Sequence, residues 1–134
     1  MRLKDVIISF MLLLLSAGSL YAASPVVITD DLDSLRFGKN MEYLKDEGGT
    51  LSFSDVISGR HEWVKAEKDS FNFGFNAPVY WFSFTVDNRQ TSAGGYYLEI
   101  DYAMIDYIEL YKPAADGTYG VIKTGDRYPF AQRD

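Results

Sequence analysis

Apolar and polar residues alternate along most of the chain after residue 25, and a period of two is typical of β-strands. The longest alternating stretch covers residues 79–87, and similar stretches cover 96–102 and 107–111. Shorter apolar runs between Gly, Pro and Asp turns predict strands near 26–28, 43–44, 51–53, 71–75 and 119–123, with a helical turn after Asp55. About seven short strands without a sustained helical period indicate an all-β fold, an antiparallel β-sandwich or jelly roll.

The alternation also predicts which side chains face the interior, because every second residue of a strand points to the same face. In the longest alternating stretches, the larger aliphatic and Phe side chains occupy one of the two sets of alternate positions. The expected core between the sheets consists of Phe82, Phe84, Val86, Leu98, Ile100, Ile108 and Leu110.

The first 23 residues have the pattern of a secretory signal peptide. Arg2 and Lys4 precede an apolar run over residues 6–15, and small residues follow up to Ala23. The run is half as long as the roughly 20 residues that span a bilayer, which favours a removable signal over a permanent anchor. We therefore expect a signal peptide at 1–23 and an exported β-domain at 24–134.

Composition and charge argue against nucleic-acid binding and exclude cysteine-based chemistry. The chain has 13 Lys and Arg against 19 Asp and Glu, a net charge of −6, and no basic cluster, which argues against nucleic acid as a partner. It has no Cys, which excludes disulfides, thiol nucleophiles and Cys-ligated metals. No phosphate-binding loop, haem motif or nucleotide fingerprint is visible, so we expect no cofactor.

The strand face opposite the expected core carries aromatic and acidic side chains of common parity. Aromatic rings present apolar faces to the C–H surfaces of sugars, and carboxylates accept hydrogen bonds from hydroxyl groups. This composition suits a neutral or cationic small ligand such as a glycan, and it equally suits an ordinary strand face covered by another strand or a partner. The candidate ligand-binding residues are Trp81, Tyr97, Glu99, Asp101, Tyr107, Glu109 and Tyr111.

Two other acidic patterns resemble sites of catalysis or metal binding. Glu99 and Asp101 have a separation compatible with a glycosidase pair, but any two same-face neighbours on a strand have it, so we predict no catalytic site. The acidic run that begins at Asp30 fails as an EF-hand loop, because Arg36 stands where Gly is required. A solvated turn is the preferred interpretation of this run, with an irregular structural calcium site as the open alternative; no metal site is predicted.

Five segments in order resemble a known family: residues 73–76 (FGFN), 80–88 (YWFSFTVDN), 97–102 (YLEIDY), 105–111 (IDYIELY) and 124–130 (TGDRYPF). Their order and spacing are similar to the second type of extracellular domain of bacterial seven-transmembrane receptors with diverse intracellular signalling modules. The resemblance covers nearly the whole chain after the signal peptide.

The resemblance implies a periplasmic jelly-roll sensor domain, similar in fold to carbohydrate-binding modules, that is followed by a seven-helix membrane region and a cytoplasmic kinase, cyclase or phosphatase. Family domains continue with further strands, so we expect the domain to be truncated at its C-terminal end and to come from a longer receptor. The predicted function is noncatalytic sensing of a glycan or another small molecule. The alternative is a free secreted carbohydrate-binding module or a protein-interaction domain.

Overall fold

A computed structural model describes residues 23–74, 77–102 and 104–132. The signal peptide predicted for residues 1–23 lies outside this part of the chain, apart from Ala23. The chain divides into two compact units, of which the first ends at Gly94 and the second begins at Gly95. Among the described residues, no helix is long and apolar enough to cross a membrane.

The described residues of the first unit contain five strands in two sheets. Strands β2, β3 and β4 form an antiparallel sheet in the order β3-β2-β4, and β1 pairs with β5 in parallel. A short helix, α1, follows the turn after β2. Their bounds are β1 Val26–Ile28, β2 Glu42–Asp46, α1 Phe53–Val56, β3 Val64–Lys65, β4 Val79–Ser83 and β5 Val86–Asn88, with a 3₁₀ turn at Gly38–Asn40.

The second unit is built on one hairpin. Strands β6 (Ile108–Pro113) and β7 (Tyr119–Thr124) pair antiparallel along their whole length, and a short 3₁₀ turn covers Phe130–Gln132. The connection between the strands closes with hydrogen bonds from Ala114 N–H to Thr118 C=O (2.8 Å) and from Gly117 N–H to Ala114 C=O (3.1 Å). The turn that the sequence predicts after Pro113 is confirmed.

Aromatic rings pack residues 71–73 onto one face of the three-stranded sheet. Phe73 stacks on Tyr80 with ring centroids 3.9 Å apart, and Phe71 meets Phe82 edge-on at 4.8 Å. Tyr43, the register partner of Phe82, contacts both Phe71 and Phe73. These five residues form the aromatic cluster, which holds a segment without regular structure against the sheet.

The short helix α1 confirms a helical turn near Asp55, but it begins at Phe53, so the strand predicted for residues 51–53 is not formed. Ser52 and Asp55 form a reciprocal capping box: the Ser52 hydroxyl accepts from Asp55 N–H (3.2 Å), and the Asp55 carboxylate accepts from Ser52 N–H (3.0 Å). Because a single helical turn leaves most of its backbone N–H groups without an internal partner, such a cap is needed to stabilise it.

Several predicted strands differ in the structure. The stretch 79–87 is not one strand: its first half pairs with β2, and its second half pairs with β1 in another sheet. Residues 96–102 and 71–74 belong to no sheet of the described residues, and Phe75 lies outside them. Alternation marks a chain segment that is able to form a strand, but a ladder of hydrogen bonds also needs a neighbouring strand.

The predicted core is wrong, because Phe84, Ile108 and Leu110 are only half-buried and the other four residues are exposed. Phe82, Val86, Leu98 and Ile100 are each at least 40% exposed. Among the described residues the buried apolar side chains are instead Val26, Val56 and Ala66. Parity identifies side chains on a common face, but it does not identify the layer that covers the face.

The β-rich class is confirmed. The described residues form mostly strands in small sheets, largely antiparallel, with one short α-helix. The parallel pairing of β1 with β5 departs from the antiparallel arrangement expected from the sequence.

Candidate functional site

The hairpin of the second unit places the candidate residues Glu109 and Tyr111 on one face, with the candidate Tyr107 just before its first strand. Tyr107 immediately precedes β6, and Glu109 and Tyr111 follow at alternate positions of that strand. The register sets Glu109 opposite Lys123 and Tyr111 opposite Val121 of β7. We call this surface the hairpin face.

A polar network connects the two strands on the hairpin face. The Tyr111 hydroxyl donates to Glu109 Oε2 at 2.5 Å, and Lys123 Nζ donates to Glu109 Oε1 at 2.7 Å. The hydrogen bonds from Lys123 and Tyr111 hold the pKa of the Glu109 carboxyl below its usual value. The contact with Glu109 in turn raises the pKa of Tyr111 and that of Lys123. Glu109 is therefore an oriented carboxylate at neutral pH.

The start of β6 is held by the segment that follows β7. Asp126 N–H donates to Ile105 C=O (3.0 Å), and Arg127 N–H donates to Asp106 C=O (3.1 Å). The chain turns between these bonds and β7 at Gly125, whose φ is +126° and where a Cβ would collide with the backbone of Asp106. Glycine is required there because a Cβ has no space and because L residues with a side chain rarely adopt this φ.

This close approach brings two tyrosines together. The rings of Tyr107 and Tyr128 meet edge-on with centroids 5.3 Å apart. Tyr107 nevertheless stays 62% exposed. Its ring therefore remains available to a ligand while its position is fixed by Tyr128.

Sequence reasoning missed Lys123 and Tyr128 as members of this surface. Lys123 could have been found, because the turn after Pro113 pairs the predicted strands 107–111 and 119–123, and opposite charges at paired positions are favourable. Tyr128 carried no such signal, since its position depends on the backbone contacts of Asp126 and Arg127.

The remaining candidates of the second unit lie before the hairpin. Tyr97, Glu99 and Asp101 belong to the stretch 95–102, which contributes to no sheet of the described residues. The Tyr97 side chain is fully exposed. Of the candidates in this unit, the hydrogen-bonded register therefore contains only Glu109 and Tyr111, and Tyr107 directly precedes it.

Trp81 lies in the first unit, in β4, opposite Leu44 of β2. It is half-buried beside Asp46, a carboxylate with only 4% exposure at the end of β2. Asp46 accepts from Leu51 N–H (2.9 Å) and Thr50 N–H (3.2 Å). Its pKa is lowered, mainly by the hydrogen bond from Leu51, with the smallest contribution from the Trp81 indole. The surroundings of Trp81 thus stabilise a turn.

The acidic run of the first unit also has a structural explanation. The Asp30 carboxylate accepts from the backbone N–H and hydroxyl groups of Thr91 and Ser92, at 2.5 to 3.3 Å. These hydrogen bonds, those of Thr91 first, lower the pKa of Asp30 to about 2. Within the described ranges, no group of three or more His, Asp or Glu side chains is arranged to hold a metal ion. Asp30 links the chain after β1 to the loop after β5.

Comparison with protein families defines the class of the protein. Residues 38–134 match the family described as 7TMR-DISM extracellular 2, the extracellular sensor domains of seven-transmembrane receptors. The chain belongs to this family, whose members are noncatalytic sensor modules. A search of curated protein sequences finds no match. The resemblance stated from the motifs is confirmed, and the match includes both the aromatic cluster and the hairpin face.

Proposed function

We propose that residues 24–134 form a noncatalytic periplasmic domain that senses a carbohydrate or another small molecule for a membrane-bound receptor. Membership of the extracellular sensor family supports the receptor context, and the signal-peptide pattern of residues 1–23 supports export. In this proposal a seven-helix region and a cytoplasmic signalling module follow in the parent chain. The jelly-roll sandwich expected from the sequence belongs to the same proposal, supported by the family and by the largely antiparallel pairing.

The observation that carries the ligand proposal is the hairpin face, where the exposed Tyr107 ring is two residues before the oriented carboxylate of Glu109. Tyr107 offers an apolar ring face for stacking. Each Glu109 oxygen is engaged once, by Tyr111 or Lys123, and each has a further lone pair for a ligand hydroxyl. The face combines a carboxylate with an ammonium group, which favours a neutral polyhydroxylated ligand over a highly charged one.

Binding at such an open face should be weak. One stacking ring and one or two hydrogen bonds suggest a Kd in the micromolar to millimolar range, about 4 to 8 kcal/mol of binding free energy. Replacing Tyr107 by Ala removes the stacking surface and should cost about 1 kcal/mol or more.

The test is a thermal-shift screen of neutral mono- and disaccharides, followed by calorimetric titration of any ligand found. Tyr107→Ala and Glu109→Gln should each weaken binding. Tyr102→Ala is the matched control, because Tyr102 is similarly exposed (55%) but lies outside the hairpin. Binding that is unchanged in Tyr107→Ala and Glu109→Gln would locate the ligand away from the hairpin face.

A further inference from the structure

A groove of about 340 Å³ lies in the first unit, and its volume is in the range of small-molecule sites. It is lined by two chain segments, residues 64–68 and 70–73, and by Tyr43 of β2. We call it the β3 groove, since the first segment begins with strand β3. The hairpin face belongs to the second unit, so the β3 groove is a separate site.

The side of the β3 groove that belongs to the sheet is apolar. The register sets Val64 directly opposite Tyr43, and directly opposite residues share a face of the sheet. Ala66 N–H donates to Met41 C=O (3.0 Å), so the pairing continues past β3 and Ala66 lies on the same face as Val64. Tyr43 also contacts both rings of the segment 71–73. Aliphatic groups and aromatic rings therefore lie together on this face.

The rings of the β3 groove are fixed by their packing. Phe71 and Phe73 are nearly parallel, with an interplanar angle of 19° and centroids 5.9 Å apart. Phe73 stacks on Tyr80, and Phe71 packs edge-on against Phe82. Val64 is 49% exposed, so part of the aliphatic surface stays accessible. Because the rings are already oriented, an aromatic ligand meets a preorganised surface and loses less free energy to ordering.

The charges near the β3 groove favour neither an anion nor a cation. Lys65 lies on the sheet face opposite to that of Val64, and the register sets it across from Glu42. Glu67 and Lys68 are neighbours of opposite charge. A charged ligand would give up part of its hydration here without a compensating ion, which costs more than the burial of a neutral group.

The chain beside the β3 groove has backbone groups that a ligand can use. Residues 67–72 belong to no helix or strand. Within the described part of the chain, no group hydrogen-bonds to the backbone N–H or C=O of these residues. Backbone N–H groups donate and C=O groups accept, and an amide group on a ligand matches both.

We propose that the β3 groove binds an uncharged small molecule in which an aromatic ring carries an amide group. The ring packs against Phe71, Phe73 and Val64, and the amide exchanges hydrogen bonds with the backbone of residues 67–72. Ring packing supplies the affinity, and the absence of a net charge at the groove selects the neutral compound over its charged analogue. This site does not depend on the ligand proposed for the hairpin face.

The test is an NMR titration of the full chain, labelled with ¹⁵N, with the probes phenylacetamide, phenylacetate and acetamide. Phenylacetamide should give saturable shifts of backbone amides in residues 64–73. Phenylacetate should bind about threefold or more weakly, because its carboxylate loses hydration without gaining a cation. Acetamide, which lacks the ring, should give no saturable shifts at the same concentrations. The absence of saturable shifts with phenylacetamide, or phenylacetate binding as tightly as phenylacetamide, would overturn the proposal.

Variants assign the binding to the apolar face. Val64→Thr keeps the side-chain shape but adds a hydroxyl to the aliphatic surface, and it should weaken phenylacetamide about threefold or more. Val121→Thr is the matched control, because Val121 is a strand valine of similar exposure (42%) in β7. Lys65→Gln should also leave binding unchanged, since Lys65 lies on the other face of the sheet.

An equal loss in Val64→Thr and Val121→Thr, or a loss in Lys65→Gln, would contradict the assignment to this face. Retained dispersion of the amide spectrum verifies that each variant is folded.

Discussion

The two units of this domain are stabilised in different ways. In the first unit, rings from a segment without regular structure pack on a three-stranded sheet, and the buried apolar side chains Val26, Val56 and Ala66 all belong to it. In the second unit, one hairpin is reinforced by backbone contacts and by the Glu109 network, while many large apolar side chains are exposed. An isolated hairpin is only marginally stable in water, so the second unit should depend more on its backbone geometry than on side-chain burial.

The same contrast is seen in two aspartates with similar chemistry. Asp30 caps Thr91 and Ser92, which lie more than 60 residues away in sequence. Asp116 accepts hydrogen bonds only two residues away, from the N–H and hydroxyl of Thr118. The first contact closes a long loop and the second shapes a local turn, although both lower the pKa of the aspartate. Comparable hydrogen bonds thus have different structural consequences in the two units.

The largest effect is expected at Gly125. Gly125→Ala places a Cβ against the backbone of Asp106 and only 2.9 Å from the Tyr107 Cα, at a φ of +126°. We expect a loss of about 3 kcal/mol in the free energy of unfolding, since strain and overpacking each cost roughly 1 to 3 kcal/mol. Urea unfolding measures the loss, and hydrogen exchange locates it.

Gly117→Ala is the control for this prediction. Gly117 also has a positive φ, +84°, but no atom lies within 4 Å of a Cβ built there. Its replacement should cost about 1 kcal/mol, from backbone strain alone. Equal losses in the two variants would show that the contact of Gly125 with Asp106 does not hold the second unit together.

The aromatic cluster of the first unit should give the next largest effect. Phe73→Ala removes ring contacts with Tyr43, Phe71 and Tyr80. Because Phe73 is half-buried, we expect a loss of about 2 to 3 kcal/mol, less than the roughly 3 to 5 kcal/mol typical of a buried Phe. Phe130→Ala, at a position 88% exposed, should change the unfolding free energy by less than about 0.5 kcal/mol. If the two variants unfold at the same urea concentration, ring packing does not stabilise the first unit.

A smaller effect is expected at the contact of Asp30 with Thr91. Thr91→Val removes the hydroxyl that makes the largest contribution to the lowered pKa of Asp30, so this pKa should rise from about 2 toward 3.8. A carboxylate with a depressed pKa stabilises the fold above its unfolded pKa, and the stabilisation is lost as the pH falls through the folded value. The wild type should therefore lose this contribution between about pH 3.8 and 2.

Carboxyl ¹³C shifts followed by NMR report the Asp30 pKa directly. Thr118→Val is the matched variant in the second unit, and it should raise the pKa of Asp116 while that of Asp30 stays near 2. If Thr91→Val leaves the Asp30 pKa unchanged, the hydrogen bond from Thr91 is not the cause of the lowered pKa.

The smallest effect is expected from the polar network of the hairpin face. Tyr111→Phe removes the hydrogen bond to Glu109 and should lower the unfolding free energy by about 0.5 to 1 kcal/mol at neutral pH, since the pair is partly solvated. The lowered pKa of Glu109 means that its contribution is present above the usual value of 4.5 and is lost as the pH falls. Denaturant unfolding at several pH values should thus show the two proteins converging in acid. A difference that persists at low pH would indicate that Tyr111 acts through packing.

Much of the local structure was predictable from the residues. The hairpin with its turn after Pro113, the strand at β1 and the helical turn at α1 all follow from alternation, turn residues and caps, which act within a few residues of the chain. The same parity predicted the common face of Glu109 and Tyr111 in β6. The family motifs, read in order, identified the class of protein.

The remaining features depend on contacts between residues distant in sequence. The alternating stretch 79–87 is divided between two sheets because β2 pairs with its first half and β1 with its second. Two further features likewise depend on segments whose sequences do not indicate that they meet. These are the position of Tyr128 beside Tyr107 and the hydrogen bonds of Asp30 with Thr91. The sequence by itself determined which side chains share a face and where the chain turns, because these are local properties of the backbone. Only the tertiary structure decided which faces are covered, since burial depends on the neighbouring segment that packs there.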